Sequence, residues 1–145
     1  PYWESDQAIL VREGGDFQPS TWEDFEGVSV GAQSGTTGAD QVQSNLVDPG
    51  LVAEDDYRTY GSYVLAVEDL ENENIDAVVI DTPVAETFAA NRDVTIAFIE
   101  ETGEEFGFGL RQGESEIQSA LNDGLATVRD DGTYEEITNT WFGQE

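Results

Sequence analysis

The chain contains no cysteine, histidine, methionine or lysine, and its basic residues are five arginines. Without cysteine it forms no disulfide and no thiolate metal site, which leaves the redox compartment open. Without histidine, Ser-His catalysis and histidine-ligated metal sites are excluded. Carboxylates, tyrosine and arginine remain for acid–base chemistry, a set that favours binding over most kinds of hydrolysis. We therefore predict a binding protein with no catalytic residue, no metal site and no cofactor.

The charge balance excludes further partners. The chain has 32 acidic residues and a formal net charge of −27 over 145 residues. Nucleic acid and anionic lipid surfaces repel such a chain, because both require a basic patch. No apolar run approaches the roughly 20 residues that span a bilayer.

The same charge indicates adaptation to high salt. So many like charges repel one another in dilute buffer and weaken the compact state, whereas at molar salt the Debye length falls to about 3 Å and the repulsion is screened. A disordered acidic segment is the alternative. Hydrophobic residues make up 38% of the chain and recur with regular spacing, so we predict a folded halophilic protein.

Short apolar runs alternate with helical patterns, which predicts an α/β fold with mainly parallel strands. The predicted strands are 8–11, 28–32, 57–60, 77–80, 94–99 and 106–110. Helical patterns follow Ser20 and cover 39–46, the segment after Ser62, 83–91, 117–128 and 134–141. Capping boxes are predicted at Ser20 with Glu23 and at Thr133 with Glu136, and Thr82 is predicted as an N-cap before Pro83.

Two strand ends carry residues suited to a ligand. The strand at 28–32 runs into Gln33-Ser34-Gly35-Thr36-Thr37-Gly38, where small residues let a ligand approach the backbone and a following helix presents N–H groups. That arrangement suits a carboxylate or a phosphate, although the absence of lysine excludes a P-loop. A tight turn with a Ser/Thr helix cap is the alternative.

The other strand end is that of 77–80, which Asp81 directly follows. Its carboxylate is placed to pair with a ligand ammonium, or simply to oppose the positive end of the next helix. Ligands of open α/β sheets sit beyond the carboxyl ends of the strands. An anion cradle and a carboxylate at neighbouring strand ends together match the zwitterion of an α-amino acid.

Three segments resemble, in order, parts of the solute-binding proteins of polar amino-acid ABC transporters. They are DFEGVSVGAQSGTTGADQV, YGSYVLAVEDLENENIDAVVIDTPVAETF and FGFGLRQGESEIQSALNDGLATVRDDGTYEEITNTWFG. The resemblance implies a periplasmic-binding-protein-like (type II) lobe, with a twisted, mainly parallel sheet flanked by helices. It also implies an extracellular protein, free or lipid-anchored when intact, whose partners are a polar amino acid such as glutamine or glutamate and the transporter's membrane subunits.

The resemblance assigns roles to the residues of both strand ends. Asp81 would bind the ligand's α-ammonium, Thr36 and Thr37 would donate to its α-carboxylate, and Gln33 would lie where relatives vary with the ligand side chain. The full set of implied ligand-binding residues is Gln33, Ser34, Gly35, Thr36, Thr37 and Asp81.

The resemblance also divides the chain into three parts. Residues 1–15 would form a hinge crossing, 16–91 the second, ligand-binding lobe, and 92–145 the return crossing and the C-terminal helices that complete a first lobe. The opening segment of that first lobe would precede Pro1. Apolar side chains of the C-terminal helices would then need another partner, which predicts self-association through Ile117, Leu121, Leu125, Tyr134 and Trp141.

Two alternatives share this scaffold. A ligand-sensing domain of a receptor would use the same binding chemistry with a different attachment. A dehydratase acting on cyclic amino-acid precursors would need a general acid, and Asp81 is the one carboxylate visibly placed for that role.

Overall fold

A computed structural model describes residues 1–142, so Gly143 of the closing Trp-Phe-Gly motif and the end of the 92–145 segment lie outside the described part. The strands are β1 (Trp3–Arg12), β2 (Val30–Gln33), β3 (Tyr57–Tyr60), β4 (Ala77–Asp81) and β5 (Val94–Phe106). The helices are α1 (Thr37–Val42), α2 (Tyr63–Glu71), α3 (Thr82–Asn91), α4 (Ser115–Asp130) and α5 (Thr133–Phe142). A π-helical stretch, Gln43–Val47, extends α1, and short 3-10 helices cover Trp22–Phe25 and Glu54–Asp56.

The chain divides into two compact units. One is Ser5–Gly103, and the other joins Pro1–Glu4 to the chain from Glu104 onward. The predicted boundaries of the hinge crossings and the lobe stay predictions.

The five strands form a mixed sheet in the order β3-β2-β4-β1-β5. β2 runs parallel to both β3 and β4, as expected for strands joined by helices. β1 runs antiparallel to β4, with Gln7 opposite Asp81 and Val11 opposite Ala77. The predicted α/β class is confirmed.

Helices cover both faces of the sheet in the Ser5–Gly103 unit. Successive residues of a strand point to opposite faces, so Leu10 and Val78 join one core cluster while Ile9 and Val79 join the other. The first cluster contains Val67 and other buried residues of α2 and α3, and the second contains residues of α1 and its extension. Strands buried on both faces explain the continuous apolar runs of β1 and β4.

The end of the sheet at Arg12 is closed by one arginine and one aspartate. The Arg12 guanidinium donates to the carbonyl oxygens of Leu70 (3.0 Å) and Ile75 (2.6 Å) and lies 3.3 Å from Asp76 Oδ1. Asp76 Oδ2 accepts bonds from the Ser29 amide (2.9 Å) and hydroxyl (2.8 Å). Burial acts to raise the pKa of Asp76, but the bonds from Ser29 and Arg12 outweigh it and hold the pKa below 3.8.

Trp22 anchors the first 3-10 helix. Its indole packs against the rings of Phe25 and Phe98, and its N–H donates to Glu100 Oε2 at 2.9 Å. The capping box of this helix pairs Thr21 with Asp24, one residue later than predicted for Ser20 and Glu23. The Ser20–Glu23 and Thr21–Asp24 pairs have the same spacing in the sequence. Asp24 Oδ2 accepts from the amides of both Ser20 (2.8 Å) and Thr21 (3.1 Å), which selects the second pair.

Two other helix starts differ from the prediction. Asp81, not Thr82, is the N-cap residue of α3, because the Thr82 hydroxyl donates instead to the Asp6 carbonyl oxygen of β1 at 2.9 Å. α5 already includes Thr133, whose amide donates to Asp131 Oδ1 at 2.9 Å.

The strand predicted at 94–99 lies within the observed β5, but the separate strand predicted at 106–110 was wrong. One strand of 13 residues, β5, runs from Val94 to Phe106, and residues 107–110 are outside any strand. Polar residues 100–105 continue the strand, with Thr102 and Gly103 donating their amides to Asp6 Oδ1 at 2.9 and 3.0 Å.

The chain from Glu104 onward contains α4 and α5, neither of which has a buried residue. Apolar side chains stand exposed here, with Ile117 at 48% and Trp141 at 73%. Arg129 lies over the ring of Tyr134, whose hydroxyl donates to the Tyr2 carbonyl oxygen at 2.6 Å. Across residues 1–142, no helix combines the length and apolar character needed to cross a membrane.

Candidate functional site

The turn after β2 connects directly to the N-terminus of α1. β2 ends at Gln33, Thr36 is the N-cap residue, and α1 begins at Thr37. Gly35 has a φ of +75°, a backbone conformation that glycine adopts without the steric cost of a Cβ. The predicted small-residue turn and helix start are therefore both present.

Hydrogen bonds hold the turn in one shape. The Thr36 hydroxyl donates to the Gln33 carbonyl oxygen at 2.8 Å and accepts from the Ala39 amide at 3.3 Å. The Ser34 amide donates to the Tyr60 carbonyl oxygen of β3 at 2.9 Å. The sequence left open whether this turn caps a helix or binds a ligand, and the structure shows that the Thr36 hydroxyl caps α1.

The Gln33 side chain reaches the neighbouring helix. Its Oε1 accepts the backbone N–H of Tyr63, the first residue of α2, at 3.1 Å. Ser62 occupies the N-cap position of α2 but makes no side-chain capping bond, so Gln33 satisfies this helix end instead. Gln33 therefore joins the turn to α2, a connection that spacing alone did not indicate.

Asp81 lies at the same edge of the sheet as the turn. β2 and β4 are adjacent and parallel, with Ala32 opposite Val79, so both strands end at this edge. Asp81 is the last residue of β4 and is half-buried. The structure brings the two predicted halves of the site onto neighbouring strands within one compact unit.

Sequence reasoning missed Gln7, a fully buried residue of β1. Gln7 lies opposite Asp81 in the antiparallel ladder, and its Nε2 donates to Asp81 Oδ1 at 2.7 Å. A glutamine just before an apolar run looks like a solvated strand end. Only the strand register, which the sequence did not supply, reveals its partner.

Gly38 allows α1 to approach the sheet at this point. A Cβ at position 38 would lie 2.8 Å from the Val79 carbonyl oxygen and 2.9 Å from Gln7 Oε1, closer than van der Waals contact permits. The first turn of α1 therefore packs directly on β4 and on the Gln7 side chain.

Tyr60, at the end of β3, is the titratable neighbour of the turn. Burial, followed by the hydrogen bond to Asp69 Oδ2 (2.8 Å), raises the pKa of Tyr60 to about 12. Its hydroxyl stays protonated at neutral pH and does not act as a base there. Within residues 1–142, no group of three or more carboxylates is arranged to hold a metal ion.

This end of the sheet therefore carries the N-terminus of α1, with its hydroxyls, after β2 and the Asp81 carboxylate at the end of the adjacent strand β4. The family of bacterial extracellular solute-binding proteins, family 3, matches residues 1–144. The chain belongs to this family.

Two curated proteins from Escherichia coli (strain K12) are similar to this chain. The L-cystine-binding protein TcyJ is 31% identical over 150 residues, which cover 100% of this chain and 53% of TcyJ. The putative ABC transporter arginine-binding protein 2 is 33% identical over 148 residues, which cover 98% of this chain and 57% of that protein. The chain spans about half the length of the curated relatives it matches.

Solved structures that are similar to this chain share its fold. An ancestral arginine-binding protein bound to arginine is 34% identical with a TM-score of 0.83, covering 99% of this chain and 62% of that one. The ancestral amino acid-binding protein AncCDT-1, a precursor of cyclohexadienyl dehydratase, is 30% identical with a TM-score of 0.83, covering 98% and 59%. These similarities confirm the predicted periplasmic-binding-protein-like fold.

Proposed function

We propose that this chain is part of an extracellular solute-binding protein that binds a polar amino acid and delivers it to the membrane subunits of an ABC transporter. The observation that carries the proposal is the parallel register of β2 and β4, which places the Gln33–Thr37 turn and Asp81 at one sheet edge. Lipid anchoring of the intact protein stays a prediction.

In the proposed complex, each end of the zwitterion has a partner. The N-terminus of α1, with Thr36 and Thr37, receives the α-carboxylate, because backbone N–H groups and the helix dipole favour an anion there. Asp81 receives the α-ammonium. Ser34 and Gly35 let the ligand approach the backbone, and Gln33 borders the ligand side chain.

Relatives support the ligand class without selecting one amino acid. Those similar to this chain are named for binding cystine, arginine, glutamate or histidine, all of them polar amino acids. We propose glutamine or glutamate as representative ligands, since a neutral or acidic side chain needs no further carboxylate at this edge.

We further propose that the chain binds its ligand without transforming it. A dehydratase would require a general acid beside the leaving hydroxyl, and Asp81 is assigned here to the ammonium. The AncCDT-1 neighbour is itself described as an amino acid-binding protein. Turnover of a cyclic amino-acid precursor that Asp81→Asn abolishes would favour the enzymatic alternative.

The proposal is tested by calorimetric titration of the 145-residue chain with a panel of amino acids in molar KCl. We expect binding of one class of polar amino acids, weakened by at least about 30-fold in Asp81→Asn, because a desolvated ammonium loses its counter-charge. Asp55→Asn, which removes an equally negative but exposed carboxylate from the 3-10 helix at Glu54–Asp56, is the matched control. Equal affinities of the two variants would contradict the assignment of Asp81.

We also propose a halophilic setting, because the charge of −27 destabilises the fold unless salt screens it. Raising KCl from about 0.1 M to about 3 M should raise Tm by on the order of 10 °C, measured by circular dichroism. Neutralising Glu54, Asp55 and Asp56 together should raise Tm at low salt and reduce its salt dependence. A Tm that is independent of salt would contradict the proposal.

A further inference from the structure

Gln7 is the buried polar side chain that touches both halves of the candidate site. It is 0% exposed and lies on the α1 face of the sheet, which it shares with Ile9. Its Nε2 donates to Asp81 Oδ1 at 2.7 Å, and its Oε1 lies against Gly38 in the first turn of α1. The two ends of one planar amide therefore meet the proposed ammonium partner and the helix that carries the proposed carboxylate partner.

We propose that Gln7 is a positioning residue, which fixes the Asp81 carboxylate relative to the N-terminus of α1 and so sets the spacing between the two halves of the site. The inference rests on the proposed function for its consequence in binding. The orientation of the Asp81 carboxylate by a buried amide is inferred from the contacts and does not depend on ligand binding.

The chemistry of the donor suits this role. An amide is neutral, so its hydrogen bond orients the carboxylate without bringing a positive charge that would compete with a ligand ammonium. A guanidinium does bring a positive charge to its carboxylate, as Arg12 does where it pairs with Asp76 at the other end of β4. Gln7 is also fully buried, so its side chain lies in a close-packed environment next to α1.

The register supports a direct coupling of the two side chains. Gln7 and Asp81 are directly opposite residues of an antiparallel pair, so their side chains leave the sheet on the same face. Gly38 completes the arrangement, because a side chain there would collide with both the β4 backbone and Gln7.

The orientation of Asp81 can be measured without any ligand. Three-bond scalar couplings report the χ1 angle of Asp81 in the wild-type chain and in Gln7→Met, which preserves the length of the side chain but removes the donor. Ile9→Met, on the same strand and face, is the matched control. We expect a single Asp81 rotamer in the wild type and in Ile9→Met, and averaged couplings in Gln7→Met. A single unchanged rotamer in Gln7→Met overturns the proposal.

Binding gives the second readout. Gln7→Met should bind the preferred amino acid about tenfold more weakly, as expected for a lost hydrogen bond to a charged group, while Ile9→Met binds as the wild type does. The corresponding carboxylic acid without the α-ammonium should bind both variants alike, because it does not use Asp81. Equal losses for the two ligands in Gln7→Met would show a merely structural role and overturn the proposal.

The two readouts separate the two hypotheses. If the wild-type chain binds no amino acid, the proposed function fails for this chain, and the Asp81 couplings still decide the role of Gln7. If the wild type binds and Asp81→Asn does not, the proposed function stands, and the comparison of Gln7→Met with Ile9→Met decides the inference.

Discussion

The Ser5–Gly103 unit and the chain from Glu104 onward bury their apolar residues very differently. Every fully buried hydrophobic side chain in the described residues lies between Ala8 and Val94. The amphipathic helices α4 and α5 bury none, and Ile137 and Trp141 are 51% and 73% exposed. A sheet covered on both faces can stabilise itself, whereas a pair of amphipathic helices needs another apolar surface.

The largest expected effect tests this difference through one substitution in each unit. Leu70→Ala in α2 empties a fully buried position and should lower the free energy of unfolding by about 3 kcal/mol. Leu121→Ala in α4, a half-buried position, should cost less than about 1 kcal/mol at a concentration where the chain is monomeric. Urea titration at constant molar KCl measures both.

Leu65→Ala serves as the control within α2, since Leu65 is 52% exposed and should resemble Leu121→Ala. Equal costs for Leu70→Ala and Leu121→Ala would contradict the assignment of the core to the Ser5–Gly103 unit.

The second prediction concerns what covers the exposed helices. We propose that two copies of the 145-residue chain associate through α4 and α5, giving twice the monomer mass of 15.8 kDa. Sedimentation equilibrium in molar KCl measures the mass. Trp141→Glu should return the chain to a monomer, because it places a charge in the apolar contact. Leu65→Glu, an equally drastic change at an exposed site of the other unit, should leave the dimer intact, and a wild-type monomer would rule the association out.

The smallest expected effect compares one carboxylate from each unit. The pKa of Asp76 is lowered below 3.8, so its contribution to stability is complete above pH 3.8 and is lost as the pH falls through the folded pKa. Asp76→Asn should lower the free energy of unfolding at pH 7 by on the order of 1 kcal/mol, with solvent screening allowed for, and the difference should shrink towards pH 3.

Asp131 provides the comparison for that experiment. Hydrogen bonds from the Thr133 side chain and backbone lower its pKa as well, but the carboxylate is fully exposed. Asp131→Asn should therefore show the same direction of pH dependence with a smaller amplitude. A larger amplitude for Asp131→Asn would contradict the prediction that Asp76 contributes more to pH-dependent stability than Asp131 does.

Much of the Ser5–Gly103 unit was predictable because its signals are local. The runs at 57–60 and 77–80 became β3 and β4 almost residue for residue, since β-branched and aromatic residues between turn signals leave few alternatives. The Gln33–Thr37 turn and the start of α1 followed from small residues and a Ser/Thr cap. The match to an amino-acid site was predictable because the turn and Asp81 each directly follow a predicted strand.

Several predictions failed because they depended on contacts between distant residues. Thr82 has the chemistry of an N-cap, but its hydroxyl bonds to Asp6, 76 positions away. Polar residues at 100–105 hide the continuation of β5, because an edge strand can carry charged side chains. The antiparallel register that pairs Gln7 with Asp81 is likewise set by the whole sheet and not by either segment.

The environment of Trp22 has an optical consequence. Of the three tryptophans, Trp22 is the one in the Ser5–Gly103 unit, where its indole is hydrogen-bonded to Glu100 and packed against Phe98. With Trp3 and Trp141 replaced by phenylalanine, intrinsic fluorescence becomes a spectroscopic signal of this unit alone. Its emission wavelength then reports when water first reaches the sheet, independently of anything that happens to the helices beyond Glu104.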